Sequence, residues 1–592
     1  MPIISRRRFM HAGLAGLGTV YVTTLLPGCD GDDGQSLGDA SFSHGVASGD
    51  PLTTSVILWT RATPASGAPE KIRVTWEVAE DADFATIIAH DSGDALATAD
   101  YTVKVDLQGL EPDRWYFYRF KSANATSAVG RTRTLPELSS SQLRMGVLSC
   151  SNYPAGYFHV YNAIATRELD LVLHLGDYIY EYPSDGYASE QAEAMGRVVQ
   201  PAGELLTLAD YRTRYAQYRS DSDLQLAHAA APFLVVWDDH EVANDTWREG
   251  AENHNEGEGN FADRKLAALR AYFEWLPIRP ADAGGEDLMT PTSIYRQFQW
   301  GDLANLLMLD TRHEARDEPL TVADFFDSTS GDFDFDGLFA AVNNPQRQLL
   351  GSDQENWLQS ALNSSSATWQ LLGQQVLMAP MYLPFAIATQ QMSFEDYARL
   401  GQLAIVAARA QQGDPTLTTD ELTLLQNDQA LLTPEVTALL QAPAIPYNLD
   451  AWDGFGAARE RVLQMARQAG VNLVALAGDT HNAWASEIPD AGGDIVGVEL
   501  ATTSVSSPGL EAYLQIDPAA YGTVEAGIVN LVEGLHYLNA GDRGFLELDI
   551  THEKIVASWH FVTSVKTPGY SLQTERLKQL QVIAGTPALQ PV

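Results

Sequence analysis

The chain has 592 residues, 45% of them hydrophobic and 9% aromatic, with 77 acidic against 37 basic side chains and a formal net charge of −40. That length and apolar content bury a core without disulfide or structural-metal staples and exclude a disordered acidic tail protein. The acidic excess argues against DNA, RNA or an anionic membrane surface as partner, so no nucleic-acid binding surface is expected. The two cysteines, Cys29 and Cys150, are too few for a disulfide framework.

Taken in chain order, residues 1–28 read as an export signal rather than a folded segment. Arg6-Arg7-Arg8-Phe9 is followed by an Ala/Gly/Leu stretch to Leu26, too short to span a bilayer as a permanent helix. The paired arginines match a twin-arginine signal, which implies the twin-arginine export machinery as partner and an extracytoplasmic, periplasmic location. Leu26-Pro27-Gly28-Cys29 has a lipobox-like end, so lipidation of Cys29 and an inner-membrane-anchored lipoprotein are expected, with cleavage lacking a lipid as the alternative. Membrane contact would then run only through that N-terminal anchor. Residues 29–40, rich in Asp and Gly, read as a flexible tether.

Residues 41–136 carry a strand rhythm. Ile72, Val74, Trp76 and Val78 alternate with polar neighbours, as do Tyr101, Val103, Val105 and Leu107. Such period-two alternation predicts an antiparallel β-sandwich, and the stretch from Leu110 to Tyr118 resembles a fibronectin-III-like turn into a late strand.

From residue 143 short apolar runs alternate with helical segments, which predicts an α/β domain over 143–592. Four runs end in ionisable groups: 143–149 at Cys150, 171–175 at Gly176-Asp177, 232–237 at Asp238-Asp239-His240, and 471–477 at Gly478-Asp479-Thr480-His481. Functional groups gather where strands give way to loops, and four such ends suggest one shared site. The collected thiol, phenol, carboxylate, amide and imidazole groups (Cys150, Asp177, Tyr180, Asp238, Asp239, His240, Asn244, Asp479, His481) mix hard oxygen donors with transition-metal donors. A cluster of different ions suits that mixture better than a single closed zinc site. Two insertions interrupt the domain, an Asp/Phe-rich one near 320–345 and a helical Gln/Leu/Thr-rich one near 381–446. They either wall the site or pack peripherally. No Gly-x-Ser-x-Gly elbow or Gly-x-x-x-x-Gly-Lys loop is present, which disfavours a serine hydrolase and an NTPase.

The blocks Cys150-Ser151-Asn152, Gly176-Asp177-Tyr178-Ile179-Tyr180-Glu181, Trp237-Asp238-Asp239-His240-Glu241-Val242-Ala243-Asn244 and Gly478-Asp479-Thr480-His481 resemble the signature of PhoD-type alkaline phosphatases. Gly250 to His254, Phe273 to Pro277, Asp310-Thr311-Arg312 and Trp452-Asp453-Gly454 extend the resemblance in family order over nearly the whole chain. It implies a metallophosphatase-like α/β sandwich, two mixed sheets flanked by helices, behind an antiparallel fibronectin-III-like β-sandwich domain. The Asp-x-His opening of the broader metallophosphatase class is absent, and Cys150 and Asn152 stand in its place. The resemblance further implies one Fe³⁺ and two Ca²⁺, with Cys150, Asp177, Tyr180 and His481 on iron and Asp177, Asn244 and Asp479 reaching calcium. Asp238 and Asp239 are not separated: one would touch the cluster, here Asp238, and the other would orient neighbours or act in catalysis. His240 is expected to contact phosphate or protonate the leaving group, and Arg312 to hold phosphate or form a structural salt bridge. The activity implied is hydrolysis of phosphate monoesters or diesters by a metal-activated oxide or hydroxide, for phosphate scavenging. Phospholipase-D-like or envelope-polymer phosphodiesterase action is the close alternative, and a calcium-dependent surface binding protein the alternative outside enzymes. Cations suit an anionic phosphate ester meeting so acidic a chain, because they invert the local field.

Overall fold

The computed structural model describes residues 22–24, 36–279 and 294–592. The twin-arginine motif and Cys29 lie outside the described residues.

Two large sheets dominate residues 143–592. In the first, the parallel strands Leu143–Leu148, Leu171–His174 and Phe233–Val235 lie side by side, and antiparallel strands from Gly544–Ile550 to Thr586–Pro591 extend one edge. In the second, Ala304–Met308, Trp369–Gly373, Asn472–Ala477 and Ile495–Ala501 run parallel, flanked by antiparallel strands. The strand period of two explains how the layers stack. Val474 and Leu476 enter the core shared with Val147, Leu171 and Leu173 of the facing sheet. Leu473, Ala475 and Ala477 instead meet Leu358 and Leu362 of helix Gly351–Ser364 and Val462 and Leu463 of helix Gly456–Ala469. Each fully buried aliphatic side chain of this kind contributes ~1.5–3 kcal/mol. The result is a mixed two-sheet α/β sandwich with helices outside.

Residues 40–133 form two antiparallel layers. Lys71–Ala79, Ile87–Leu96, Trp115–Lys121 and Gly130–Arg133 make one four-stranded sheet. It packs Val74, Trp76, Tyr116 and Tyr118 against Val56, Leu58, Val103 and Val105 of the other layer. That second layer does not end within the N-terminal region. Strand Val46–Gly49 pairs with Ser55–Arg61 on one side, and on the other Gly49 pairs in parallel with Phe233, so the layer runs on into the first large sheet. Gly49 is required at the seam, since a Cβ there would collide with the carbonyl oxygens of Phe233 and Pro277.

The two insertions pack on each other. Phe326, Phe333 and Phe335 of the first surround Phe385 of the second, at centroid separations of 6.2, 4.8 and 5.0 Å. The second insertion is pinched at its root, where Tyr382–Pro384 pairs antiparallel with Ala444–Pro446. Its helices Thr419–Asp428 and Pro434–Gln441 bury no residue and are peripheral, whereas the chain leaving the root enters the cleft described next.

Candidate metal centre

The loops after four parallel strands converge. Cys150, Asp177, Asp479 and His481 all adopt left-handed backbone conformations, with φ of 63°, 53°, 61° and 64°. Such φ values are costly for residues bearing a Cβ and cluster where side chains must be aimed at a site. Glycines let the loops approach. A Cβ on Gly176 would collide with Asp238, and one on Gly478 would lie 2.7 Å from the Ser149 Cβ. The loops are then laced by backbone bonds: Cys150 N–H donates to the Gly176 carbonyl (3.1 Å) and Ser151 N–H to that of Asp177 (2.8 Å).

Three groups of candidate donors result, each with ligand atoms within 4.8 Å of one another: Cys150, Asp177 and His481; Asp177, Asp239 and His240; and Asp238, Asp239 and Asp479. Asp177 belongs to the first two and Asp239 to the last two, so these carboxylates can bridge neighbouring ions. Tyr180 joins the first group. Its hydroxyl donates to Asp177 Oδ2 (2.9 Å), stands 3.1 Å from His481 Nε2, and accepts from Ser507 Oγ at 2.6 Å. His481 Nδ1 lies 2.6 Å from the Pro508 carbonyl. A carbonyl can only accept, so that contact calls for a proton on Nδ1 and turns Nε2 to the donor group, the usual support for a ligating imidazole.

The donor set fits bound cations. Asp177 Oδ1 and Asp238 Oδ2 are buried with no hydrogen-bond partner, a cost folded proteins avoid unless something else meets those oxygens. Burial, and then the Asp177 charge, push the Cys150 thiol well above its ordinary pKa, and the same two causes raise Tyr180. Burial likewise raises Asp238 and Asp479 despite Arg312. Carboxylates, a thiol and a phenol packed this tightly disfavour each other's anions until positive charge is supplied.

The remaining predicted residues divide. Asp239 opposes the trend: burial alone would raise it, but the charges of His240 and Arg312 hold it well below the carboxylate range. Its oxygens accept from the N–H groups of His240 (3.0 Å) and Asp245 (2.7 Å). Burial disfavours charge on His240, yet Asp239 and Glu181 outweigh it and raise its pKa well above the ordinary value. Glu181 Oε2 holds His240 Nδ1 at 2.7 Å, and Tyr180 packs on the ring at 4.2 Å. Asn244 lines the same cleft, with Nδ2 donating to Glu252 at 3.2 Å. Arg312 is fully buried and spent on carboxylates: Asp238 at 2.5 Å, Asp450 at 2.6 Å and Asp479 at 3.2 Å. It does not line the cleft; of the two expectations for Arg312, this is the salt-bridge arrangement.

Residues without an assigned role in the sequence reading complete the centre. Glu241 is fully buried, and its carboxylate accepts from the N–H groups of Asp177 (3.1 Å), Tyr178 (2.5 Å) and Asp238 (2.6 Å), clamping two donor loops together. Burial and the Asp177 charge push its pKa up to about 8 against the pull of those donors. Ser507, Glu181 and Asp450 act in the same way on Tyr180, His240 and Arg312. The signal for Ser507 was present as a polar run, Thr502 to Ser507, directly after an apolar strand and wholly buried. The cleft itself encloses about 330 Å³, with Asp177, Asp239, His240, Asp479 and His481 on its lining.

Comparison with known proteins decides the family. Residues 145–559 match the model of the PhoD-like phosphatase, and residues 28–136 match that of the PhoD-like phosphatase N-terminal domain. The chain belongs to the PhoD-like phosphatase family. It is 34% identical over 547 residues to alkaline phosphatase D of Bacillus subtilis (strain 168), covering 90% of this chain and 79% of that protein. A solved structure of PhoD superposes with a TM-score of 0.71 at 30% identity, covering 96% of this chain and 93% of that one. As a PhoD-like phosphatase, the chain is a metal-dependent phosphoesterase hydrolase, and the converging donor groups are candidates to hold its metal.

Proposed function

We propose that the chain is an exported phosphoesterase that hydrolyses phosphate monoesters or diesters at a centre of one Fe³⁺ and two Ca²⁺. The observation that carries this reading is the sharing of Asp177 between a Cys/His/Tyr group suited to iron and a carboxylate side that runs through Asp239 to Asp238 and Asp479 and suits a hard cation. Cys150, Asp177, Tyr180 and His481 would hold iron. Asp177, Asp239 and Asp479, with the Asn244 amide and Asp238 beside them, would hold calcium. When bound, such ions hold phosphoryl oxygens and lower the pKa of water.

The protein's own groups do the rest. Ser507 and Pro508 fix the Tyr180 oxygen and the His481 tautomer. Glu181 holds His240 through Nδ1, so that Nε2 presents its proton to the cleft. In the reaction a water gives up one proton as its oxygen bonds to phosphorus, the ester P–O bond breaks, the departing oxygen takes the His240 proton as the alcohol, and the proton lost by the water restores His240 through solvent. Export through the twin-arginine route and lipidation of Cys29 are supported by the sequence at residues 1–29 alone, and phosphate scavenging by the family resemblance alone. Among the described residues no helix is long and apolar enough to cross a membrane.

The test is phosphate or alcohol release from a monoester and a diester by the full chain, before and after chelation and calcium restoration. Activity lost on chelation and regained with calcium is expected. Activity indifferent to chelation would overturn the reading.

A further inference from the structure

The cleft is wider than a phosphoryl group needs, and its remaining lining differs in chemistry from the metal side. Tyr447 and Asn448 arrive from the root of the second insertion. Trp484 comes from strand Ala483–Pro489, and Leu510 and Tyr513 from the turn after Pro508. These residues adjoin the donors directly. Trp484 Nε1 donates to Thr480 Oγ1 at 2.8 Å, one residue from Asp479, and Tyr513 lies beside Tyr187, whose ring stacks 6.3 Å from His481. Asn448 accepts the Asp450 N–H through Oδ1 and keeps its Nδ2 as a donor.

Charge is equally one-sided. Five aspartates line the cleft (Asp177, Asp239, Asp245, Asp450 and Asp479), and neither Lys nor Arg is among the lining residues. The cations that balance them, Arg312 and Arg316, lie fully buried behind the wall. Asp177, Asp239 and Asp479 are candidate ligands whose charge bound ions would offset, but Asp245 and Asp450 are not. A leaving group carrying its own negative charge would meet those two carboxylates on a wall without Lys or Arg, which selects against it. A neutral ring or hydrocarbon face would meet an indole, two phenols and a leucine, with phenolic and amide groups left to bond hydroxyls. A volume of about 330 Å³ admits the phosphoryl group and one such unit.

We infer that this wall is a leaving-group subsite, and that the substrates are phosphate esters of an uncharged, ring-sized alcohol rather than anhydrides such as pyrophosphate or nucleoside triphosphates. The inference rests on the phosphoesterase reading above. Its test uses the metal-loaded full chain and four substrates: phenyl phosphate, methyl phosphate, pyrophosphate and ATP. Wild type should give a kcat/KM for phenyl phosphate at least tenfold above those for pyrophosphate and ATP. In a Tyr447→Ala/Tyr513→Ala double variant, the phenyl-to-methyl ratio of kcat/KM should fall at least tenfold relative to wild type. Intrinsic leaving-group reactivity cancels in that comparison. Tyr447 packs partly buried against the core, so the single Tyr513→Ala variant at a largely exposed position, in which the ratio should fall in the same direction, keeps the test independent of folding. An unchanged ratio, or ATP turned over better than phenyl phosphate, would overturn the subsite while leaving the phosphoesterase intact. Turnover of none of the four would overturn the subsite, and if diphenyl phosphate were also untouched the phosphoesterase reading would fall with it.

Discussion

Glu241 gives the sharpest quantitative handle on how the centre is held. Its two oxygens satisfy three buried N–H groups, those of Asp177, Tyr178 and Asp238, and two of these residues are candidate ligands. In Glu241→Gln the amide keeps two of the bonds if its oxygen takes the Oε2 position, and then sets an NH₂ against the Tyr178 N–H. A buried donor left unpaired costs ~1–3 kcal/mol. Glu241→Ala strands all three and would cost ~3–9 kcal/mol, enough to threaten folding in a domain of ordinary stability. Gln is therefore the informative variant. Urea unfolding of the chelated protein should show a loss of ~1–3 kcal/mol. Metal retained after desalting should fall as well, because groups that orient ligands govern affinity by roughly 10–100-fold. A Glu241→Gln protein with wild-type stability and wild-type metal content would refute the clamp.

Arg312→Met should be severe: removing one partner of a buried ion pair costs ~3–5 kcal/mol, and here Asp238, Asp450 and Asp479 all lose their guanidinium. Denaturant titration checks it, and a near-neutral change would show that the carboxylates are balanced otherwise. Glu499, which accepts from the N–H groups of Met378 (2.6 Å) and Ala379 (3.0 Å), has its pKa raised by burial from 4.5 to about 8. The folded state thus binds a proton that the unfolded state has released, so across that window stability falls as pH rises, by up to ~1.4 kcal/mol per pH unit. Glu499→Gln should flatten this dependence in urea midpoints measured across the window, and an unaltered slope would contradict the assignment. Tyr180→Phe removes a phenol held between Asp177, His481 and Ser507; the purified protein should lose intensity in a visible phenolate-to-iron band, whereas an unchanged spectrum would remove Tyr180 from the iron site.

Much of the centre was legible in the sequence because apolar runs that stop at an ionisable residue mark strand ends, and parallel strands bring such ends together. Cys150, Asp177, Asp238, Asp239, His240, Asp479 and His481 were readable on that ground, and alternation along 71–79 and 101–107 marked the antiparallel layers. Alternation tells which face of a strand is buried but not which edge it pairs with. Hence the seam at Gly49 and Phe233, which joins the N-terminal layer to the catalytic sheet, left no trace beyond a glycine. Glu241, Ser507 and Asp450 escaped for a related reason: a polar residue's partners are set by the folded arrangement, and Ser507 meets Tyr180 across 327 positions of chain. The Arg312 guanidinium could be read equally as substrate clamp or salt bridge until burial and three carboxylate contacts placed it behind the cleft.

Asp177 is the residue on which the account turns, since it joins two of the three donor groups. Elemental analysis of the purified full chain beside Asp177→Asn tests it most directly. The account predicts iron and calcium together in the wild type and the loss of both, with activity, in the variant. A variant retaining both metals, or an active wild type containing neither, would contradict it.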